Sequence, residues 1–244
     1  MKKSTTPDPG HVHIWHFPLE SGEISRHRHQ LLDDAEQRQS TRFRFDRDRR
    51  RFEIRRIYRR LILARYAGVD PASLAFSCDQ FGRPAIDSAH STEVVHFSAS
   101  HSEESGVIAV SDTRSCGIDI EHRSHASNHE GIIRNMFSQQ ECDDILRENA
   151  QNRDLSFLNC WTAKEAYLKA LGFGLNKPLD SFAVCVAEDS APGLQWDIDD
   201  PDAQSRWSFW RSHLLDDCIV TLAYQGDLRS VELISATERL GRFP

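Results

Sequence analysis

The stretch that decides the fold is Trp161-Thr162-Ala163-Lys164-Glu165-Ala166-Tyr167-Leu168-Lys169-Ala170-Leu171-Gly172. It contains good helix formers and no proline, and a glycine is the residue expected just past a helix C-terminus. The stretch therefore predicts a helix that ends at Gly172.

One face of this helix is apolar, and the other is unusual for a solvent-facing surface. At about 100° per residue, the second face carries Trp161, Lys164, Glu165, Leu168 and Lys169. Because a tryptophan and a leucine flank the charges, we expect the charged groups to lie in a crevice against another element. The simpler alternative is an exposed Glu165–Lys169 pair at i,i+4, worth about 0.2 to 0.5 kcal/mol.

Composition indicates a soluble protein that we expect in the cytoplasm. The 244 residues are enough for a substantial core, and the sequence shows neither a run of 18 apolar residues nor a secretory signal at its start. The six cysteines form no Cys-x-x-Cys pair and predict scattered thiols rather than a zinc site or a disulfide framework.

The charge is distributed unevenly along the chain. Residues 42–65 hold eleven arginines and three acidic residues, a balance of +8 within a chain of net charge −7. Apolar residues recur near helical spacing from Arg49 to Ala67, which predicts a long amphipathic helix ending at Gly68. A basic helix suggests nucleic acid, a small phosphorylated ligand, or a solvated face. The acidic protein and the lack of interleaved aromatic residues favour the phosphorylated ligand.

Two further segments offer groups that bind anions. The segment 79–84 predicts a turn that holds Arg83 at its tip, where it either grips an anion or is solvated. Ser100 and His101 are expected at a turn between two strands, where hydroxyl, imidazole and backbone N–H groups suit phosphate oxygens. A Ser–His nucleophile pair is the competing interpretation, but adjacent residues of an extended chain point in opposite directions.

The segment Gly117-Ile118-Asp119-Ile120-Glu121 predicts a strand with two carboxylates on one face. Neighbouring carboxylates repel each other unless a cation or open water compensates. Oxygen ligands of this kind suit Mg²⁺, which also takes substrate phosphates and water. An ordinary amphipathic edge strand is the alternative. Ser138 and Glu141 form a capping box, which explains both residues structurally.

The chain contains a faint internal echo. Residues 81–84 resemble residues 175–178, and Ser100-His101 precedes a strand as Ser212-His213 does, each pair lying seven residues before it. The echo predicts two similar halves with a boundary near residues 115–125.

These motifs together resemble the 4'-phosphopantetheinyl transferases of the long, single-chain type. The resemblance covers roughly residues 50–180 and rests on the segments 82–84, 97–102, 117–121, 137–141 and 161–172. It implies an α+β fold of two similar α+β halves, 1–116 and 117–244, related as a pseudo-twofold pseudo-dimer with the active site in the cleft between them.

The resemblance also implies roles for individual residues. Asp119, Glu121 and Glu165 match the family's Mg²⁺ ligands. The residues that match positions contacting coenzyme A, the second substrate, are Arg50, Arg83, Ser100, His101, Lys164 and Lys169. Arg50, one of the eleven arginines of residues 42–65, matches the position that meets the 3'-phosphate.

The implied reaction moves the phosphopantetheine arm of coenzyme A to a serine of an apo acyl carrier or peptidyl carrier protein. Glu165 is the expected general base, directly or through water, and Lys169 stabilises the growing charge. We expect a monomer that binds neither nucleic acid nor membrane. A Mg²⁺-dependent phosphohydrolase and a non-catalytic coenzyme A or RNA binding protein remain alternatives.

Overall fold

The computed structural model describes residues 7–20, 28–87, 94–126, 129–172, 174–187, 190–215 and 217–240. The strands are β1 (His11–Pro18), β2 (Phe76–Cys78), β3 (Pro84–Ile86), β4 (His96–Ser102), β5 (Ser105–Ser111), β6 (Cys116–His122), β7 (Phe182–Val184), β8 (Leu194–Asp197), β9 (Trp207–Leu215), β10 (Cys218–Gln225) and β11 (Ser230–Ser235). The α-helices are α1 (Arg28–Leu31), α2 (Asp34–Ser40), α3 (Asp46–Ala67), α4 (Glu130–Met136), α5 (Gln139–Arg147), α6 (Ala150–Leu171), α7 (Ala203–Arg206) and α8 (Ala236–Leu240). This mixture of helices and sheets confirms the predicted α+β class.

Both long helices end where the sequence predicts. Helices α3 and α6 have 22 residues each. The residues after them, Gly68 and Gly172, have φ angles of 70° and 78°, a region that glycine enters without a Cβ clash. Each glycine N–H donates to the carbonyl four residues earlier, at 2.9 and 3.0 Å, so both helices close with the expected glycine cap.

The two halves of the chain repeat one pattern of strand pairing. In the first half, β5 pairs antiparallel with β1 on one side and β4 on the other. In the second half, β10 pairs in the same way with β6 and β9. A short two-stranded sheet follows the long helix in each half, β2–β3 after α3 and β7–β8 after α6. This repetition supports the predicted two halves, and a pseudo-twofold axis between them stays a prediction.

One strand departs from a simple division of the chain. Strand β11 pairs in parallel with β1, so the first sheet has the order β11-β1-β5-β4. The division into 1–116 and 117–244 stays a prediction, but residues 230–235 complete the sheet of the first half.

The two sheets and two long helices form four layers. Trp15 and Ile108 face α3 on one side of the first sheet, and Ile14 and Ala109 on the other side join the apolar side chains of β6 and β10. The opposite face of the second sheet packs against α6. Successive side chains along β1 and β5 therefore pack alternately into two hydrophobic cores.

Helix α6 lies unusually close to β6. A Cβ atom added to Gly117 would lie 2.1 Å from the carbonyl oxygen of Ala166 and 2.4 Å from the amide nitrogen of Ala170. Only glycine permits this approach, which brings the polar face of α6 beside the carboxylates of β6.

One local prediction differs from the structure. Strand β4 runs on to Ser102, so Ser100 and His101 lie within the strand rather than in a turn, and the chain reverses at Glu103, where φ is 46°. The six cysteines are free thiols, as predicted. None of the described helices is long and apolar enough to cross a membrane.

Candidate active site

The polar centre of the molecule lies where β4 of the first sheet runs beside β6 of the second. Ser100 of β4, Asp119 of β6 and Lys169 of α6 meet there in a triangle of hydrogen bonds. Ser100 Oγ donates to Asp119 Oδ1 at 2.7 Å, and Lys169 Nζ donates to Asp119 Oδ1 at 2.6 Å and to Ser100 Oγ at 2.8 Å. Three predicted site residues, distant in the sequence, are therefore in direct contact.

Two carboxylates at this centre are poised to accept a proton or a cation. Burial raises the pKa of Asp119, and Lys169 and Ser100 oppose that shift. Burial also raises the pKa of Glu165, and the negative charges of Asp119 and Glu121 add to this effect while Lys169 opposes it. Glu165 therefore lies close enough to both strand carboxylates to feel their charge.

Glu121 is held from the opposite strand. Ser102 Oγ donates to Glu121 Oε2 at 2.8 Å. Ile118 and Ile120, the neighbours of Asp119, are fully buried in the core between the sheets, as the alternation of β6 predicts. The two carboxylates thus share the face of β6 that lies toward β4 and α6.

The donor set at this centre fits a hard divalent cation. Asp119 Oδ2 is buried and has no hydrogen-bond partner among the described residues, and a carboxylate oxygen buried in this way is stabilised by a cation. In the described ranges no three His, Cys, Asp or Glu residues are grouped closely enough to form a metal site. Asp119, Glu121 and Glu165 therefore stay predicted ligands, and Lys169 provides the positive charge on Asp119.

An arginine-lined cavity opens beside the carboxylates. Its volume is about 420 Å³, and its lining residues are Phe43, Arg47, Asp48, Arg51, Arg55, His101, Ser102, Glu103 and Glu121. A second cavity of about 270 Å³ shares Arg55 and His101 with the first and includes Ser100. Basic residues of α3 and the polar end of β4 thus line both cavities, and Asp48, Glu103 and Glu121 add negative charge to the larger one.

His101 is neutral in this surrounding. Arg55 Nη1 lies 2.5 Å from His101 Nε2. Desolvation, together with the charges of Arg55, Lys169 and Arg51, lowers the pKa of His101 to about 4. Arg55 is itself largely buried, which lowers its pKa to about 10.

Arg50, the predicted contact for the 3'-phosphate of coenzyme A, is exposed and lies outside both of these cavities. Arg47, Arg51 and Arg55 line the larger one. These three residues are spaced by four and therefore follow one another along a face of α3. The helix is present as predicted, and the contact of Arg50 with the 3'-phosphate stays a prediction.

Lys164 is a structural residue, which corrects its predicted role in holding phosphate. Its side chain is fully buried, and Nζ lies 2.8 Å from Glu141 Oε1. The same ammonium group donates to the carbonyl oxygens of Leu179 and Phe182, both at 2.7 Å. Because these acceptors occupy its donors and the core covers it, Lys164 is not available to a ligand.

Arg83 lies near the centre, where backbone carbonyls occupy part of its guanidinium, and its contact with coenzyme A stays a prediction. Its guanidinium donates to the carbonyl oxygens of Arg114 at 2.6 Å, Cys116 at 3.0 Å and Ala170 at 3.4 Å. These bonds tie the turn before β3 to the start of β6 and the end of α6. Arg83 also lines a cavity of about 220 Å³ with Lys169. It therefore borders the site while it binds the three backbone carbonyls.

The Ser–His nucleophile alternative is not supported by the geometry. Ser100 hydrogen-bonds to β6 and α6, whereas His101 contacts Arg55 of α3. The two side chains therefore have separate partners, as expected for neighbours on a strand.

The arginine segment divides into two groups that the sequence did not distinguish. Arg59 and Arg60 are buried and bind Glu36 at 2.9 and 2.8 Å, so part of the basic charge stabilises the fold. Arg51 and Arg55 line the larger cavity, where Arg51 also pairs with Glu20 and Glu103, and Arg59 lines the smaller one as well. The four-residue spacing of Arg47, Arg51 and Arg55 was the sequence pattern that indicated the cavity-lining group. Ser102 was missed, because its alternation with Ser100 was the only sequence feature that pointed to it.

Comparisons with known proteins agree with this geometry. A family model described as the 4'-phosphopantetheinyl transferase superfamily matches residues 115–223, and one described as 4'-phosphopantetheinyl transferase, N-terminal, matches residues 21–113. The chain is 30% identical over 216 residues to the 4'-phosphopantetheinyl transferase HetI of a Nostoc species, covering 88% of each chain.

Two further similarities are weaker or shorter. The chain is 33% identical to the 4'-phosphopantetheinyl transferase Sfp of Bacillus subtilis over 60% of this chain and 61% of Sfp. The crystal structure of Thermotoga maritima holo-[acyl-carrier-protein] synthase aligns with 21% identity and a TM-score of 0.36. The alignment covers 46% of this chain and 62% of that one. On the family models and the similarity to HetI over 88% of each chain, the chain belongs to the 4'-phosphopantetheinyl transferase family.

Proposed function

We propose that this enzyme transfers the 4'-phosphopantetheine arm of coenzyme A to a serine hydroxyl of an apo acyl or peptidyl carrier protein and releases adenosine 3',5'-bisphosphate. The observation that carries the proposal is the contact of Ser100, Asp119 and Lys169 at 2.6 to 2.8 Å. This triangle lies between a carboxylate cluster and a cavity lined by arginines, where a pyrophosphate and a nucleophile would have to meet.

The anionic part of coenzyme A is assigned to the arginine-lined cavity. Arg51 and Arg55 bring positive charge to its wall, and a neutral His101 offers a ring nitrogen without repelling them. Charge-assisted hydrogen bonds from guanidinium groups to phosphate oxygens are among the stronger polar contacts in proteins. We assign the 3'-phosphate or the pyrophosphate to this surface rather than to Arg50.

Glu165 is assigned as the general base. It lies beside the strand carboxylates, and burial together with the charges of Asp119 and Glu121 raises the pKa of its carboxyl. A carboxylate at this place can take up the proton of a hydroxyl. The serine oxygen of the carrier bonds to the β-phosphorus, its proton passes to Glu165 directly or through water, and the bond from the β-phosphorus to the bridging oxygen breaks. The electron pair leaves with adenosine 3',5'-bisphosphate.

Lys169 is assigned to the developing charge on the pyrophosphate oxygens. Its ammonium already lies within hydrogen-bonding distance of Ser100 and Asp119, so phosphate oxygens in the adjoining cavity are within reach of the same group. A positioned cation at this place stabilises the transition state more than the ground state because the charge grows during bond cleavage.

Mg²⁺ is the proposed metal, with Asp119, Glu121 and Glu165 as its ligands. When bound, it supplies charge neutralisation for the phosphate oxygens and for the carboxylates themselves. The buried, unpartnered Oδ2 of Asp119 supports this assignment. We further propose that the enzyme acts in the cytoplasm as a monomer.

The test is incubation with coenzyme A, Mg²⁺ and a panel of apo carrier proteins, followed by mass spectrometry of each carrier. We expect the carriers to gain the mass of the phosphopantetheine arm, and chelation by EDTA to stop the reaction. Release of phosphopantetheine without any carrier would indicate a hydrolase instead. Failure to modify any carrier of a broad panel would overturn the proposal.

A further inference from the structure

Strands β4 and β6 are joined by serine side chains. The two strands belong to different sheets. Ser98 Oγ accepts a hydrogen bond from the Ile118 N–H at 3.1 Å, and Ser102 Oγ accepts one from the His122 N–H at 3.0 Å. Each serine oxygen thus satisfies a β6 amide that a backbone carbonyl would satisfy within one sheet.

Ser102 does more than Ser98 at this junction. Both side chains are buried, with 5% and 8% of their surface exposed. In addition to accepting from His122, Ser102 Oγ donates its proton to Glu121 Oε2 at 2.8 Å. A hydroxyl has one proton to donate, and the amide occupies a lone pair of the same oxygen. The hydroxyl is thereby oriented, and it fixes the carboxylate of Glu121.

We propose that Ser102 is a positioning residue that holds Glu121 in the orientation needed to bind a divalent cation. The inference rests on the proposed function to the extent that Glu121 is a cation ligand. Hydrogen bonds to ligating carboxylates commonly control their orientation, and removing such a partner typically lowers metal affinity about 10- to 100-fold. Ser102 does not touch the reacting atoms in this account and acts only through Glu121.

Ser98 provides a matched control in the same strand. Ser98→Ala and Ser102→Ala each remove one acceptor for a β6 amide at nearly the same distance. Both variants are therefore expected to lose the stability that this acceptor provides, and Ser102→Ala also loses the contribution of its hydrogen bond to Glu121. They differ in whether a carboxylate loses its hydrogen bond.

The experiment measures the affinity of the full chain for Mn²⁺, the probe for the divalent site, by electron paramagnetic resonance. Wild-type protein, Ser98→Ala, Ser102→Ala and Ser102→Thr are compared at one pH and salt concentration. We expect Ser102→Ala to bind Mn²⁺ about 10- to 100-fold more weakly, Ser98→Ala to bind as the wild type does, and Ser102→Thr to recover affinity because it keeps the hydroxyl. Equal affinities in both alanine variants would overturn the proposal.

The same variants separate this inference from the proposed reaction. If Ser102→Ala weakens Mn²⁺ binding selectively while wild-type protein modifies no carrier, the positioning role stands and the transferase proposal fails. If the wild type modifies carriers while Ser102→Ala keeps full Mn²⁺ affinity, the transferase proposal stands and the positioning role fails.

Discussion

Arg60 and Lys164 are buried cations that make corresponding contacts in the two halves of the chain, and Arg60 binds Asp33 in addition. Arg60 precedes Gly68 by eight residues, and Lys164 precedes Gly172 by eight. Each binds the glutamate of a capping box at 2.8 Å, Glu36 for Arg60 and Glu141 for Lys164. Each also donates to two backbone carbonyls beyond the long helix. The parallel explains why Lys164 is structural although it lies next to Glu165.

Lys164→Met should therefore reduce stability without changing the affinity for coenzyme A. The substitution leaves Glu141 buried and unpaired, which typically costs about 3 to 5 kcal/mol. Chemical denaturation measures the loss, and the KM for coenzyme A of the folded variant tests the ligand role. Lys169→Met, on the same helix, is the control and should affect turnover more than stability. A stable Lys164→Met variant with a raised KM would contradict this account.

Gly117→Ala should displace α6 from β6. The added Cβ would lie 2.1 Å from the carbonyl oxygen of Ala166, and overpacking of this kind costs about 1 to 3 kcal/mol. Gly131→Ala is the control, because its Cβ meets nothing within 4 Å and the residue lies in α4. That variant should gain about 0.5 to 1 kcal/mol. Thermal unfolding of both variants measures the difference, and equal melting temperatures would contradict the close approach.

Arg55→Ala should weaken coenzyme A binding, whereas Arg50→Ala should not. Both residues lie on α3, but only Arg55 lines the cavity and contacts His101. Loss of a hydrogen bond to a charged group costs about 1.5 to 3 kcal/mol, which corresponds to roughly 10- to 100-fold in affinity. Calorimetric titration with coenzyme A measures the effect. A larger loss of affinity for Arg50→Ala than for Arg55→Ala would instead support Arg50 as the contact for the 3'-phosphate.

Protonation of His101 should destabilise the folded protein in acid. Its pKa is about 4 in the folded state, below the ordinary value of 6.5, so the unfolded chain binds more protons between these values. The free energy of unfolding should therefore fall as the pH is lowered from 6.5 toward 4. His101→Gln should remove this part of the pH dependence in parallel denaturation series. An NMR titration that gives His101 a pKa near 6.5 would contradict the arrangement.

The sequence predicted the features that depend on local patterns. The glycine cap at Gly172, the capping box at Ser138 and Glu141, and the alternation around Asp119 all follow from neighbouring residues, and all are present. The family resemblance predicted that Asp119, Glu165 and Lys169 lie in one site.

What the sequence did not predict depends on contacts between distant segments. A helical wheel places Lys164 beside Glu165, but it does not show that residues 179–182 cover Lys164. The spacing of the arginines does not show which side of α3 faces β4. The sequence therefore did not show that Arg55 lines the cavity and Arg50 does not. Strand β4 extends to Ser102 because it pairs with β5 along its full length, and that pairing overrides the turn tendency of its serines.

The most direct test of the carboxylate cluster is carrier modification by Glu165→Gln in the presence of coenzyme A and Mg²⁺. The substitution keeps the size of the side chain and removes its ability to take up the serine proton. We predict that turnover falls by about 10²- to 10⁴-fold while the affinity for coenzyme A stays near the wild-type value in calorimetric titration. Transfer by Glu165→Gln at the wild-type rate would contradict the assignment of Glu165 as the base and the placement of the reaction at this site.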